Sequence, residues 1–250
     1  MMAASDEEGA YRAIFQRKSV RKYLQSEIDD STIAIVSDLL ALIQPMVPEV
    51  RTEFKILTSD QVKGMFKVDA PRFVGLYSEG SECQAANAGF MIQQLDLLLS
   101  ARGLGTCWQG GPKPVHQAAH LSPLEFVSML AFGKPAEEAN RKDVSEFHRR
   151  PLAQVSDALG NADILEAGRL APSAMNNQAW HFSGSENEIL VFAAKNLLLG
   201  RLNQISAGAA VCHLWLAARH SGRKPSLMRD RDAPSRSGFT YVVTLRLASN

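Results

Sequence analysis

Ala171-Pro172-Ser173-Ala174-Met175-Asn176-Asn177-Gln178-Ala179-Trp180 is the stretch on which the reading of this chain turns. An apolar-periodic helix precedes it, with Ile164, Leu165, Ala167 and Leu170 at core-like spacing, and a strand-like run around residues 189–192 comes after it. Pro172 forces an exit from the helix, because its ring disfavours the helical conformation at Ala171. The chain then enters a short loop dense in small residues and side-chain amides. Ser173, Asn176 and Gln178 offer donors and acceptors that can face a ligand rather than only cap the helix. Taken alone the stretch also reads as a helix cap and turn. Loops held on both sides by rigid elements tend to carry sites, so the decision rests on whether other stretches answer this one.

The 250 residues are enough to bury one large core or two small ones. A composition of 46% hydrophobic and 21% charged residues is that of an ordinary globular protein. The net charge of +1 gives no phosphate-tracking surface, so no nucleic-acid partner is expected. No run approaches the roughly 18 uninterrupted apolar residues that a membrane span requires, so no membrane is expected either. The N-terminal stretch (Met1, Met2, then Ser5-Asp6-Glu7-Glu8) is acidic and has no apolar signal core. Cys83, Cys107 and Cys212 are odd in number and scattered, which fits reduced thiols. A cytoplasmic protein is expected.

Residues 10–24 are expected to form a helix that ends in the basic cluster Arg17-Lys18-Ser19-Val20-Arg21-Lys22-Tyr23. A second helix, N-capped by Asp30 or Ser31, runs to about residue 43 and is broken by Pro45 and Pro48. Short strands at 54–57 and 72–77 lead to a long helix over about 85–101, with Met91, Ile92, Leu95, Leu98 and Leu99 at core spacing. A glycine-rich turn, Gly103-Leu104-Gly105-Thr106-Cys107-Trp108-Gln109-Gly110-Gly111, comes after it. A short helix near 116–120 and a strand over 126–132, ended by Gly133-Lys134-Pro135, complete this half.

The second half repeats the order, with a helix at 163–170, a strand at 189–192, a helix at 207–219 and a strand at 239–247. Residues 87–105 overlay residues 206–224 without a gap, which sets Gly89, Leu95, Leu97 and Gly103 on Gly208, Leu214, Leu216 and Gly222. Internal duplication is therefore expected, with halves 1–140 and 141–250 meeting in a polar, charged seam. Neither half shows a self-sufficient set of strands in its sequence, so the two are expected to pack as one body.

Two further stretches bear on chemistry. Arg17, Lys18, Ser19 and Arg21 would lie within about one helical turn, a fit for phosphate, although a basic helix end also complements the helix dipole. The glycines of 103–111 let backbone N–H groups approach a flat ligand. They come after a helix instead of opening one after a strand, so they are no dinucleotide fingerprint. His213 beside Cys212 has no second His or Cys at i+4, so no metal is expected. His148 and His181 have no visible nucleophile arrangement, and Trp215 reads as core. Trp108 and Trp180 read equally as core or as the lining of a site.

Together the three stretches resemble the nitroreductase-like flavoprotein family. That family's pattern is an Arg-x-Ser-x-Arg/Lys segment near the N-terminus, an Ala-Pro-Ser-x-x-Asn-x-Gln-Pro-Trp loop, a Gly-Leu-Gly-Thr-x-Trp turn and a Gly-x-Pro strand end with trailing basic residues. Residues 17–21, 171–180, 103–108 and 133–141 supply all four, over nearly the whole chain. Ala179 stands where the family has proline, and residues 143–163 have no counterpart. The order also departs from the family. The Pro-Ser loop comes about 150 residues after the basic motif instead of a few tens, and its expected place holds Gln44-Pro45-Met46-Val47-Pro48-Glu49. In turn the second half has Gly222-Arg223-Lys224-Pro225 where the glycine turn belongs, and His148-Arg149-Arg150-Pro151 where the basic motif belongs.

Members of the family are homodimers with FMN bound by both subunits, and the chain is similar to such a dimer fused into one polypeptide. The resemblance implies an α+β fold with antiparallel-rich sheets flanked by helices, internally duplicated as a single-chain pseudo-dimer, with one FMN per chain and a chain able to work as a monomer. Arg17, Lys18, Ser19 and Arg21 would hold the phosphate and ribityl oxygens, with Arg21 reaching toward the pyrimidine edge. Pro172, Ser173, Ala174, Asn176 and Gln178 would cover the other side. Gln109 and Gly110 would place backbone groups by the flavin N5 and O4, and Arg141 or Lys142 would close on the phosphate. The implied activity is electron transfer from NADH or NADPH through the flavin to a small organic acceptor such as a nitro compound or quinone, with no obligatory side-chain acid or base. A flavin-binding or flavin-sensing protein without turnover is the alternative.

Overall fold

The computed structural model describes residues 3–25, 28–230 and 232–248. Met1 and Met2 of the acidic N-terminal stretch lie outside the described residues. Packing divides the chain into two compact units, residues 1–44, 48–84 and 94–144 in one and residues 45–47, 85–93 and 145–250 in the other.

The first unit opens with helix α1 (Ala4–Ile14) and helix α2 (Asp30–Leu42). Asp29, not Asp30 or Ser31, caps α2, because its carboxylate accepts from the Thr32 N–H at 2.7 Å and satisfies a donor left free in the first turn. Strands β1 (Thr52–Thr58), β2 (Val62–Lys63) and β3 (Arg72–Ser78) come next, then the long helix α3 (Gln84–Ala101). Beyond it lie β4 (Gly105–Gln109), β5 (Lys113–Pro114), helix α4 (His116–Ala119) and β6 (Glu125–Gly133). The main sheet has the order β1-β3-β6-β4, antiparallel throughout, and β2 pairs with β5. Helix α3 leads from β3 to β4, which flank β6 and so run parallel to each other. Between β3 and β6 the register skips Val127, a bulge beside the cross-strand aromatic pair Tyr77–Phe126 (ring centroids 5.7 Å apart). Leu57, Phe73, Met129 and Ala131 form a core cluster in which Val20 and Tyr23 are also seated.

The second unit holds helices α5 (Leu152–Val155) and α6 (Ala162–Arg169), strands β7 (Trp180–Ser185) and β8 (Glu188–Ala194), helix α7 (Gly200–His220), and strands β9 (Lys224–Met228) and β10 (Phe239–Ala248). Its sheet has the order β7-β8-β10-β9, again antiparallel. Each unit thus carries its own four-stranded sheet, which corrects the expectation that neither half has a self-sufficient set of strands. The four-stranded sheets' members hidden from sequence reading are β4, read as a glycine turn, and β7 and β9, the polar and Pro-bearing strands. Helix α7 packs on β8 and on α6, and residues 203–218 are buried apart from Gln204, as befits a helix apolar on all sides.

In this unit Gly208 faces residues 85–93 so closely that a Cβ on it would lie 2.0 Å from the Ala86 carbonyl oxygen. A Cβ on Gly89 would lie 2.0 Å from the Ile205 carbonyl oxygen. The two glycines therefore let two helical backbones touch, each against the residue three before the other glycine. His213 is wholly buried, with Nδ1 2.9 Å from the Ala167 carbonyl oxygen and Nε2 3.0 Å from the Gln93 amide. Trp215 sits edge-to-face on Phe90 at 5.6 Å.

Candidate active site

The basic segment is where the structure differs most from a helical reading. Helix α1 stops at Ile14, and the chain then runs in short bridges through residues 17–23. On one side Ser19 bridges Thr106 of β4 in parallel, and the Val20 N–H donates to the Thr106 carbonyl at 2.8 Å. On the other side residues 134–141 run antiparallel, with bridges Arg17 to Asn140 and Tyr23 to Pro135. Backbone pairing on both sides takes the place of helical hydrogen bonds, and Val20 and Tyr23 are seated in the core from this path. Gly105 permits the docking, because a Cβ there would lie 2.8 Å from Val20 Cγ1. The stretch expected to be a glycine turn is thus a turn only at residues 102–104 and a strand from Gly105 onward. Three separated sequence motifs, at 17–21, 103–110 and 133–141, come together in this unit.

Within this segment the four expected phosphate ligands face different ways. Arg17 is 2% exposed and lies along Asp96 of α3, with Nε 3.2 Å from Oδ2. Asp96 is wholly buried and also accepts from the Thr106 hydroxyl. Arg17 Nη2 donates to Ser19 Oγ at 3.3 Å, and Arg141 Nη1 donates to the Arg17 carbonyl. The Arg141 backbone N–H donates to the Gln16 carbonyl at 2.6 Å, which ties the third motif down. Lys18 and Ser19 are half-buried, while Arg21 is exposed. The Arg21 N–H donates to Glu137 Oε1 at 2.9 Å, and this bond holds the Glu137 carboxyl below its usual range. Burial pushes the Cys107 thiol up, with Arg21 and Arg17 opposing.

The end of β4 presents glycine backbone. Gln109 is buried, its Oε1 accepting from the Val68 N–H at 3.1 Å and its Nε2 donating to the Trp108 carbonyl at 3.1 Å, so its amide is used internally. Gly110 is exposed. Residues 64–67 lie alongside, since a Cβ on Gly64 would come 2.8 Å from Pro112 Cα. They display Met65 and Phe66, 73% and 87% exposed, with Phe66 in the left-handed region at φ 63°. A bulky residue held at positive φ is strained and often marks a working surface. Sequence reading missed this pair, because two apolar residues between lysines carry no periodic signal.

In the second unit the opening loop is a rigid, strained structure. Met175, Asn176 and Gln178 hold φ of 52°, 56° and 48°. Arg149 supports them, with Nε donating to the Ala171 carbonyl, Nη2 to the Leu170 carbonyl and Nη1 to Asn176 Oδ1 at 2.6 Å. Asn176 Nδ2 donates to the His148 carbonyl at 2.8 Å. Gln178 Oε1 accepts from the Arg150 N–H at 2.6 Å, and its Nε2 donates to the Asn176 carbonyl. The Ser173 hydroxyl accepts from the Gln178 N–H at 2.9 Å, and Ser206 Oγ accepts from the Ala174 N–H. The amides of Asn176 and Gln178, expected to face a ligand, are spent on the loop itself. Pro172, Ser173 and Ala174 remain half-buried, and Met175 is 75% exposed. Trp180 is core at 2% exposed, stacked with Phe182, while Trp108 is half-buried.

A family model described as "Putative TM nitroreductase" matches residues 10–218, most of the chain. The chain belongs to this nitroreductase family. It is accordingly a nitroreductase-type oxidoreductase, with the mixed helix and antiparallel-sheet fold expected from its motifs. A solved nitroreductase from Thermotoga maritima MSB8 is 22% identical with a TM-score of 0.66, over 95% of this chain and 92% of that one, and shares the fold. A nitroreductase family protein from Clostridium difficile 630 is 15% identical with a TM-score of 0.47, covering 61% of this chain and 96% of its own. A Desulfovibrio desulfuricans nitroreductase solved in complex with FMN is 18% identical with a TM-score of 0.39, covering 62% of this chain and 95% of its own. No curated protein sequence matches the chain. Among the described residues of this nitroreductase, no group of three or more His, Cys, Asp or Glu could hold a metal ion. No described helix is long and apolar enough to cross a membrane.

Proposed function

We propose that this nitroreductase is an FMN-dependent oxidoreductase that oxidises NADH or NADPH and reduces a small organic acceptor such as a nitro compound or quinone. The observation that carries the reading is the gathering of Lys18, Ser19 and Arg21 beside β4, whose end exposes Gly110. Two cations and a hydroxyl on an extended segment suit a phosphate, and exposed glycine backbone suits close approach of a flat ring. The donor set therefore fits FMN. When bound, FMN supplies a hydride acceptor at N5 and passes the electrons on.

The residues of this chain bind and orient. Lys18, Ser19 and Arg21 would take the phosphate and ribityl oxygens, Arg141 would flank them, and Gln109 and Gly110 would present backbone groups to the ring. Pro172, Ser173 and Ala174 would also contact flavin, held in place by Asn176 and Gln178 from within their loop. No side chain in these sets is needed as an acid or base.

The visible spectrum of the purified protein tests this. A yellow protein holding one FMN per chain, bleached by NADH or NADPH without oxygen, is the expected result. A colourless protein that takes up no FMN would overturn the reading, and two flavins per chain would overturn the stoichiometry. Colour that persists under both reductants would leave a binding protein without turnover.

A further inference from the structure

Helix α3 buries Asp96 completely, between the buried Leu95 and Leu97 in sequence. A carboxylate in such a place needs a charged or hydrogen-bonded partner. Its partners are the Arg17 guanidinium and the Thr106 hydroxyl, both within the first unit and both almost fully buried. The Arg17 side chain is 3% exposed, so it cannot reach a phosphate on the solvent side without leaving Asp96 behind as an unpaired charge. Arg17 does reach Ser19, and its Nη2 occupies a lone pair of Ser19 Oγ. A hydroxyl that accepts on one side is free to turn its single proton elsewhere.

We infer that Asp96 is a positioning residue, which withdraws Arg17 from the flavin phosphate and leaves Lys18 and Arg21 to supply the positive charge. The arrangement assigns Arg17 a role opposite to the one its motif implies, and it rests on the flavin reading proposed for this site. Arg17 faces the core and Arg21 faces solvent, so one motif serves an internal charge and an external one.

Binding of FMN and of riboflavin, each monitored by quenching of flavin fluorescence, isolates the phosphate contribution as the ratio of the two Kd values. Replacing the pair together, Arg17→Met with Asp96→Leu, removes both charges at similar volume, and the ratio should stay within about twofold of wild type. Arg21→Ala should reduce the ratio by about tenfold, with Lys18→Ala in the same direction. Asp96→Asn should release Arg17 and raise both the preference for FMN and its salt sensitivity, and Asp96→Glu should restore wild-type behaviour. Loss of the FMN preference in the double variant would overturn the inference. If that variant does not fold, an unchanged or lower preference in Asp96→Asn would overturn it instead. Absence of any flavin binding by the wild type would overturn the flavin reading, and this inference with it.

Discussion

The sheets β1-β3-β6-β4 and β7-β8-β10-β9 share a strand order, an antiparallel ladder and a helix that leads from the second strand to the third. They share finer detail as well. The second and fourth strands of each sheet slip register at a valine, Val127 and Val242, and each slip lies next to a cross-strand aromatic pair. Tyr77–Phe126 and Phe192–Tyr241 meet edge-to-face at 5.7 and 5.9 Å. What differs is the equipment. In the first unit residues 17–24 lie between β4 and residues 134–141, and Arg17 is buried on an acid. In the second unit Phe147-His148-Arg149-Arg150 resembles Phe15-Gln16-Arg17-Lys18, yet Arg149 turns to the 170–178 loop and holds it in strained geometry. The two sheets thus share a strand order while the segments set against them differ.

The glycine contact is the most severe place to break the comparison. Gly89→Ala and Gly208→Ala would each set a methyl 2.0 Å from a carbonyl oxygen, so each should cost about 3 kcal/mol or abolish folding. Urea denaturation should show similar losses for the two, and a mild effect at one position would mean that the contact is not equivalent from its two sides.

Arg149→Ala comes next. It removes a charged donor from the Leu170 and Ala171 carbonyls and from Asn176, and should cost about 2 kcal/mol. Limited proteolysis should then cut within 171–178, and resistance to cleavage there would show that the loop is held by other means.

The smallest effect concerns pH and separates the units chemically. Burial holds the His181 imidazole below its usual value, with Asp157 opposing. The folded state therefore favours the neutral ring, and stability should fall as pH drops through the usual value of 6.5 and below. Burial opposes ionisation of Asp157, but bonds from Ser183, Arg236 and His181 prevail and set it at about 2. Its contribution is complete above the usual 3.8 and is lost as pH falls toward 2. Asp157 is 56% exposed, so the effect should be about 0.5 kcal/mol. Asp157→Asn should flatten the acid limb of the stability profile, and an unchanged limb would assign it to other groups.

Much of the scaffold is legible in the residues. Helices α2, α3 and α7 and strands β1, β3, β6, β8 and β10 carry long periodic or continuous apolar runs. Strand β9 is not legible because Pro225 marks a turn in sequence, although an edge strand tolerates proline. Strand β7 hides behind the loop motif, because only Trp180 and Phe182 mark its apolar face before Gly184 ends the pattern. The site was legible as a set of motifs and not as a geometry. Residue type says that Arg17, Asn176 and Gln178 can bind a ligand, but only the fold says that their groups already have partners.

Sequence by itself determined the family, the spacing of its motifs and the alignment of Gly89 with Gly208, because these depend on residue type and position along the chain. Tertiary structure decided which way each side chain faces. Backbone pairing with Thr106 on one side and with residues 135–140 on the other draws residues 17–23 out of a helix and onto β4. That single choice turns Arg17 inward and leaves Arg21 exposed. Burial is a property of contacts between distant segments, and no local pattern in the basic motif records it.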